Sequence, residues 1–120
     1  MTNTVLIWLR GLSGLENLQP EALAAVPGAS GLFCKGLREL SRTQDILGGL
    51  RIRRSLTFTL CLHSTTREIP DFFLKLDTKN APLLGEDQTV TVTEGKLTKD
   101  DGTGICRYEA TITFTFTSEG

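Results

Sequence analysis

Two long runs of alternating apolar and polar residues constrain this chain more than any other feature. From Ile52, the residues Ile52, Arg54, Leu56, Phe58, Leu60 and Leu62 fall on one side of an extended backbone. Arg53, Ser55, Thr57, Thr59, Cys61 and His63 fall on the other. The second run places Cys106, Tyr108, Ala110, Ile112, Phe114 and Phe116 on one side and Arg107, Glu109, Thr111, Thr113, Thr115 and Thr117 on the other. A strand turns successive side chains to opposite faces, so period two predicts strands with one face buried. A dozen strand residues span roughly 40 Å at about 3.3 Å each. Strands of that length project beyond a compact core or join a sheet between subunits.

The remaining elements are read around these two. Residues 32–41 predict a further strand, and 88–98 another, with Val90 and Val92 on one face. Leu97 is out of phase with them, and Gly95 is placed to act as a bulge that resets the register. Gln44-Asp45 and Gly48-Gly49 are turn chemistry, and so is Lys99-Asp100-Asp101-Gly102-Thr103-Gly104. Val5, Trp8, Leu9 and Leu12 share the spacing of one helical face and predict a short helix within residues 2–15. Pro20 and Glu21 open a second helical segment over 16–26, and Pro70 and Asp71 a third within 65–79. The expected fold class is α+β: a mostly antiparallel four-stranded sheet with helices packed on one face, in a single domain over residues 1–120.

Composition removes several function classes. The 120 residues carry 13 Lys and Arg against 14 Asp and Glu, a formal charge of −1, where a nucleic-acid binder normally shows a basic excess. No apolar run reaches membrane-spanning length, and no basic, apolar leader pattern opens the chain, so neither a membrane nor secretion is expected. A single histidine, His63, excludes any scheme needing two in one subunit. Cys34, Cys61 and Cys106 are odd in number and widely spaced, which argues against a disulfide framework or a zinc knuckle; buried small apolar groups is the plainer reading.

Three constellations invite chemistry. Cys61 and His63 point to the same sheet face, as a nucleophile and its base would, but no orienting group or oxyanion device accompanies them, and a surface histidine at a strand end is the plainer reading. Asp100 and Asp101 resemble part of a calcium loop, yet the terminal Glu is absent and a hairpin turn accounts for every residue. Arg51, Arg53 and Arg54 form a basic patch while the acids concentrate late in the chain, so Arg51, Arg53 and Arg54 on one copy facing Asp100 and Asp101 on the next is the expected subunit interface. No catalytic, cofactor or metal site is expected, and no enzymatic activity.

The pattern resembles the tail-terminator (tail-completion) proteins of tailed bacteriophages, a group that includes small phage minor capsid proteins. The residues that carry the resemblance are Val5-Leu6-Ile7-Trp8-Leu9, the run Gly48-Gly49-Leu50-Arg51-Ile52-Arg53-Arg54 leading into Leu56-Thr57-Phe58-Thr59-Leu60, and the closing hairpin of residues 90–116 with Tyr108 at the start of its last strand. The resemblance implies a structural virion protein without cofactor. Such a protein forms a hexameric ring that caps the tail tube, ends its polymerisation and docks to the head-side connector or neck. Its expected partners are copies of itself, the tail-tube protein and the connector, with DNA passing through the ring but not read by sequence. Its place is the neck end of the virion tail, assembled in the host cytoplasm, in a phage or a prophage-derived particle. The alternatives are another virion component, such as a tail-tube subunit or head–tail adaptor, or a small ligand-binding or enzymatic α+β domain.

Overall fold

The structure is a computed structural model and describes residues 2–12, 15–20, 26–65, 76, 78–99, 102 and 104–119. Its elements in chain order are α1 (Thr2–Arg10), β1 (Ser30–Gln44), β2 (Leu50–Ser64), β3 (Glu86–Lys99) and β4 (Cys106–Glu119). The four strands form one sheet in the order β1-β2-β4-β3, every neighbouring pair antiparallel.

The α+β expectation is overturned. Among the described residues 60% are strand and 10% helical, with one short helix, so the fold is a mostly antiparallel sheet. The excess of strand comes from four strands of 14 or 15 residues each. Just before Pro20, where a second helix is expected to open, Gln19 bridges to β1: its N–H donates to Ser30 O at 3.0 Å and its carbonyl accepts from Leu32 N–H at 2.8 Å. Residues 21–25 and most of the segment 65–79 lie outside the described residues.

The alternating runs do what period two requires. Leu56 pairs with Phe114, Phe58 with Ile112, Leu60 with Ala110 and Leu62 with Tyr108 across β2 and β4, and β3 adds Val90 beside Phe114 and Val92 beside Ile112. This face is buried against Val5, Leu6 and Leu9 of α1 and against Leu15 and Leu18 after it. Phe114 is its hub: its ring meets Trp8 edge-on at 5.9 Å and Phe58 edge-on at 6.0 Å. The opposite face carries rows of hydroxyls. Thr57, Thr113 and Thr91 lie side by side, as do Thr59, Thr111 and Thr93.

β3 resets its register between Glu94 and Leu97, at Gly95, which brings the out-of-phase Leu97 opposite Tyr108. Only glycine fits there, because a Cβ on residue 95 would overlap the Glu109 carbonyl on β4. The β1 edge is interrupted twice as well, between Cys34 and Gly36 and between Glu39 and Ser41. Gly36 takes up the first irregularity at φ +122°.

The strand ends fix the path of the chain. Gln44, Leu50, Glu86 and Glu119 meet at one end of the sheet, and Ser30, Ser64, Lys99 and Cys106 at the other. The connection from β2 to β3 therefore runs the length of the sheet, and Leu76, Ala81 and Leu84 pack against the core along the way. The molecule is drawn out to 59 × 24 × 20 Å. Its radius of gyration of 16.5 Å exceeds the roughly 13.6 Å of a compact domain of this length.

Two substitutions test this packing. Phe114→Ala removes a fully buried ring with two aromatic neighbours and is expected to cost about 3–5 kcal/mol in chemical denaturation followed by Trp8 fluorescence. Gly95→Ala forces β3 away from the Glu109 carbonyl and is expected to cost about 1–3 kcal/mol in the same assay.

Candidate functional site

The end of the sheet where β1 meets β2 holds the arginines singled out in the sequence. Arg51 forms an ion pair with Glu86 at the start of β3. Arg53 donates from Nη1 to the Asp87 carbonyl at 2.8 Å and to Thr117 Oγ1 at 3.0 Å. These contacts tie β2 to β4 and to the first residues of β3, where Asp87 takes a left-handed φ of 50°. Arg54 lies on the other face, opposite Glu39 of β1. Arg42 also binds Glu39, with Nη2 3.3 Å from Oε2, and this guanidinium is the main cause holding the Glu39 carboxyl below its ordinary value.

Asp100 and Asp101 lie outside the described residues, but the strands that flank them do not. Lys99 pairs with Cys106 at the end of the sheet remote from Arg51, which pairs with Glu119. The turn joining β3 to β4 is thus a sheet length from the arginines. For the two to meet between copies, the neighbours must be displaced along the strands and not merely set side by side.

The Cys61 and His63 pair occupies that remote end, on the hydroxyl-bearing face. His63 is 5% exposed, not the surface residue that its place near a strand end suggested. The reason is the loop before β1: Gly28 N–H donates to His63 O and His63 N–H donates to Ala29 O, each at 2.9 Å. Arg107 Nη2 donates to Cys61 Sγ at 3.1 Å, and Arg107 Nε lies 3.0 Å from Glu109 Oε1. Burial pushes the Cys61 thiol above its ordinary pKa, and the Arg107 hydrogen bond offsets this only in part. The geometry therefore favours thiol over thiolate, the reverse of an activated nucleophile. Cys106 is buried like Cys61, whereas Cys34 is exposed because β1 is an edge strand. Among the described residues no group of three or more His, Cys, Asp or Glu is placed to hold a metal ion, and no helix is long and apolar enough to cross a membrane.

The residues Gln44-Asp45 and Gly48-Gly49 predict a turn but not what that turn displays. Asp45 Oδ1 accepts from Leu47 N–H at 2.9 Å and from Gly49 N–H at 2.7 Å, and Asp45 N–H donates to Gly49 O at 2.9 Å. Gly48 supplies the positive φ, 86°, that the turn requires. On this braced turn Ile46 and Leu47 stand free, 103% and 96% exposed. Leu37 and Leu40 on the adjoining part of β1 are about half exposed. The signal in the sequence was two consecutive aliphatic residues inside a turn otherwise built of Asp and Gly.

At the same end, on the β3 side, lies an open groove of about 610 Å³ between Arg51, Leu83, Leu84, Glu86, Asp87 and Glu119. Leu83 is 79% exposed. The rim carries three carboxylates to one guanidinium.

No protein-family model matches the chain, and no characterised protein matches it by sequence.

The thiols provide a direct check on the remote end. Of the three cysteines, Cys34 is expected to react at once with a thiol reagent, and Cys61 and Cys106 only as the protein opens. Because the Cys61 pKa is raised, the stability that its protonated form contributes is intact below its ordinary value of 9.0 and lost as pH rises through the higher folded value. Denaturation midpoints should therefore fall above pH 9 in the parent protein, and fall less in Cys61→Ala.

Proposed function

We propose that this protein is a structural subunit of a phage or phage-like particle that forms a ring, caps the tail tube, ends its polymerisation and docks to the head-side connector. The observation that carries this reading is the display of free aliphatic side chains on a braced turn at one end of an elongated sheet with β1 and β3 as its edge strands. A monomer gains nothing from such a surface, whereas a subunit that works only when assembled needs it. The resemblance in the sequence supplies the kind of assembly. Copies of the chain, the tail-tube protein and a neck protein are the partners this role requires, and the basic patch at Arg51, Arg53 and Arg54 lies at the same end as the free aliphatic residues.

The predominance of strand favours a second reading, a tail-tube subunit, which would stack ring upon ring. The two are separated by what the purified protein builds. Native mass spectrometry with negative-stain imaging is expected to show discrete six-membered rings that shorten or block tube growth when added to the cognate tube protein. Open-ended tubes would favour the second reading, and a monomer at all concentrations would exclude both.

A further inference from the structure

We infer that the aliphatic turn of one copy, Ile46 and Leu47, seats in the groove beside Leu83 of a second copy of this chain. The inference rests on the assembly reading above and names the contact that closes the ring.

Three observations lead to it. The first is position. The turn lies at the β1–β2 corner, the groove runs from Arg51 on β2 across the end of β4 to the start of β3 at the same end, and the strand order puts β1 and β3 on opposite edges. Copies set side by side, each with β1 toward its neighbour's β3, bring turn and groove together at every junction. The contact uses different patches on the two partners, so it repeats by rotation until it closes. The turn does not fill its own groove, because Ile46 and Leu47 stay fully exposed.

The second is chemistry. Leu83 and Leu84 give the groove an apolar wall, and its volume of about 610 Å³ has room for two aliphatic side chains. The turn is held by the Asp45 carboxylate, so little conformational entropy is lost when it docks.

The third is charge. Residues 34–54 contain six Lys and Arg against two Asp and Glu, a net of +4, and the rest of the chain contains seven against twelve, a net of −5. The basic hairpin of one copy thus meets a groove in the next whose rim carries Glu86, Asp87 and Glu119 against Arg51. This charge difference favours hairpin against groove over contact between two hairpins. The two irregularities in β1 break its edge into runs of four or five residues, Ser30–Cys34, Gly36–Glu39 and Ser41–Gln44, and Gln19 already bridges the first of them, so the docking is by side chains and not by a sheet continued from copy to copy.

The test compares four proteins by native mass spectrometry and sedimentation: the parent, the turn variant Ile46→Asp with Leu47→Asp, the groove variant Leu83→Asp, and the pair Leu47→Cys with Leu83→Cys in a Cys34→Ser chain. All the altered positions are exposed, and circular dichroism with Trp8 fluorescence confirms that each variant folds. The parent is expected to form rings. The turn and groove variants should each fall to monomers, with at least a tenfold rise in dissociation constant. Mixed one to one, they should form heterodimers joined by the one intact turn-and-groove contact, and no rings. The cysteine pair should give a ladder of disulfide-linked oligomers on mild oxidation that neither single cysteine gives. Rings that survive both Asp variants, or a cysteine pair that never crosslinks within intact rings, would overturn this contact and leave the assembly reading standing. A monomeric parent would overturn both.

Discussion

The register of β2 against β4 decides which way every long side chain in this protein faces. With Leu56 opposite Phe114 and Phe58 opposite Ile112, all the even-numbered apolar residues of both strands share one face, and that face is the core. A slip of one residue in either strand would set aliphatic and aromatic groups against threonines, and α1 would have nothing to bury. The in-phase arrangement lets Trp8 reach Phe114 and gives the short helix its place. A helix of nine residues has too little intrinsic stability to persist in water, so this packing is what holds it.

The same register creates an imbalance along the strands. α1, Leu15 and Leu18 join the core, and the returning connection adds Leu76, Ala81 and Leu84, but β1 beyond Phe33 is exposed through to Gln44. β1 continues past what the chain covers, while Ile52 on β2 and Phe116 on β4 stay buried. β2 and β4 run on to the same end. They are held there by the Arg51–Glu86 ion pair and by the Arg53 hydrogen bonds to Asp87 and Thr117. Exposed ion pairs contribute only about 0–1 kcal/mol each, so these contacts orient the start of β3 more than they stabilise it. The outcome is a stiff end that presents a turn at one corner and a groove running from Arg51 to the start of β3.

Much of the sheet was legible in the residues. The alternation in β2 and β4 gave faces as well as strands, and the misplaced Leu97 pointed to the register change at Gly95, because both signals are local. The helical share is smaller than the local signals suggest, and at Gln19, next to Pro20, the backbone path is set by the distant residues Ser30 and Leu32. The arginines were visible as a patch, whereas their partners were not, since Glu86 meets Arg51 only through the pairing of β3 with β4. His63 looked exposed because nothing in its neighbourhood reveals that Gly28 and Ala29 lie alongside it. The turn at 45–49 was recognisable from Asp and Gly, but the exposure of Ile46 and Leu47 depends on what surrounds that end of the sheet.

On the reading proposed above, this protein works as an assembled ring whose subunits meet at the end of the sheet that carries the 45–49 turn. Electron cryomicroscopy of the purified protein, at a concentration where it associates, tests this most directly. The expected result is a closed sixfold ring in which the 45–49 turn of each subunit is buried against residues 83–87 of the next. A monomer, or an assembly in which Ile46 and Leu47 remain in solvent while another surface makes the contact, would contradict it.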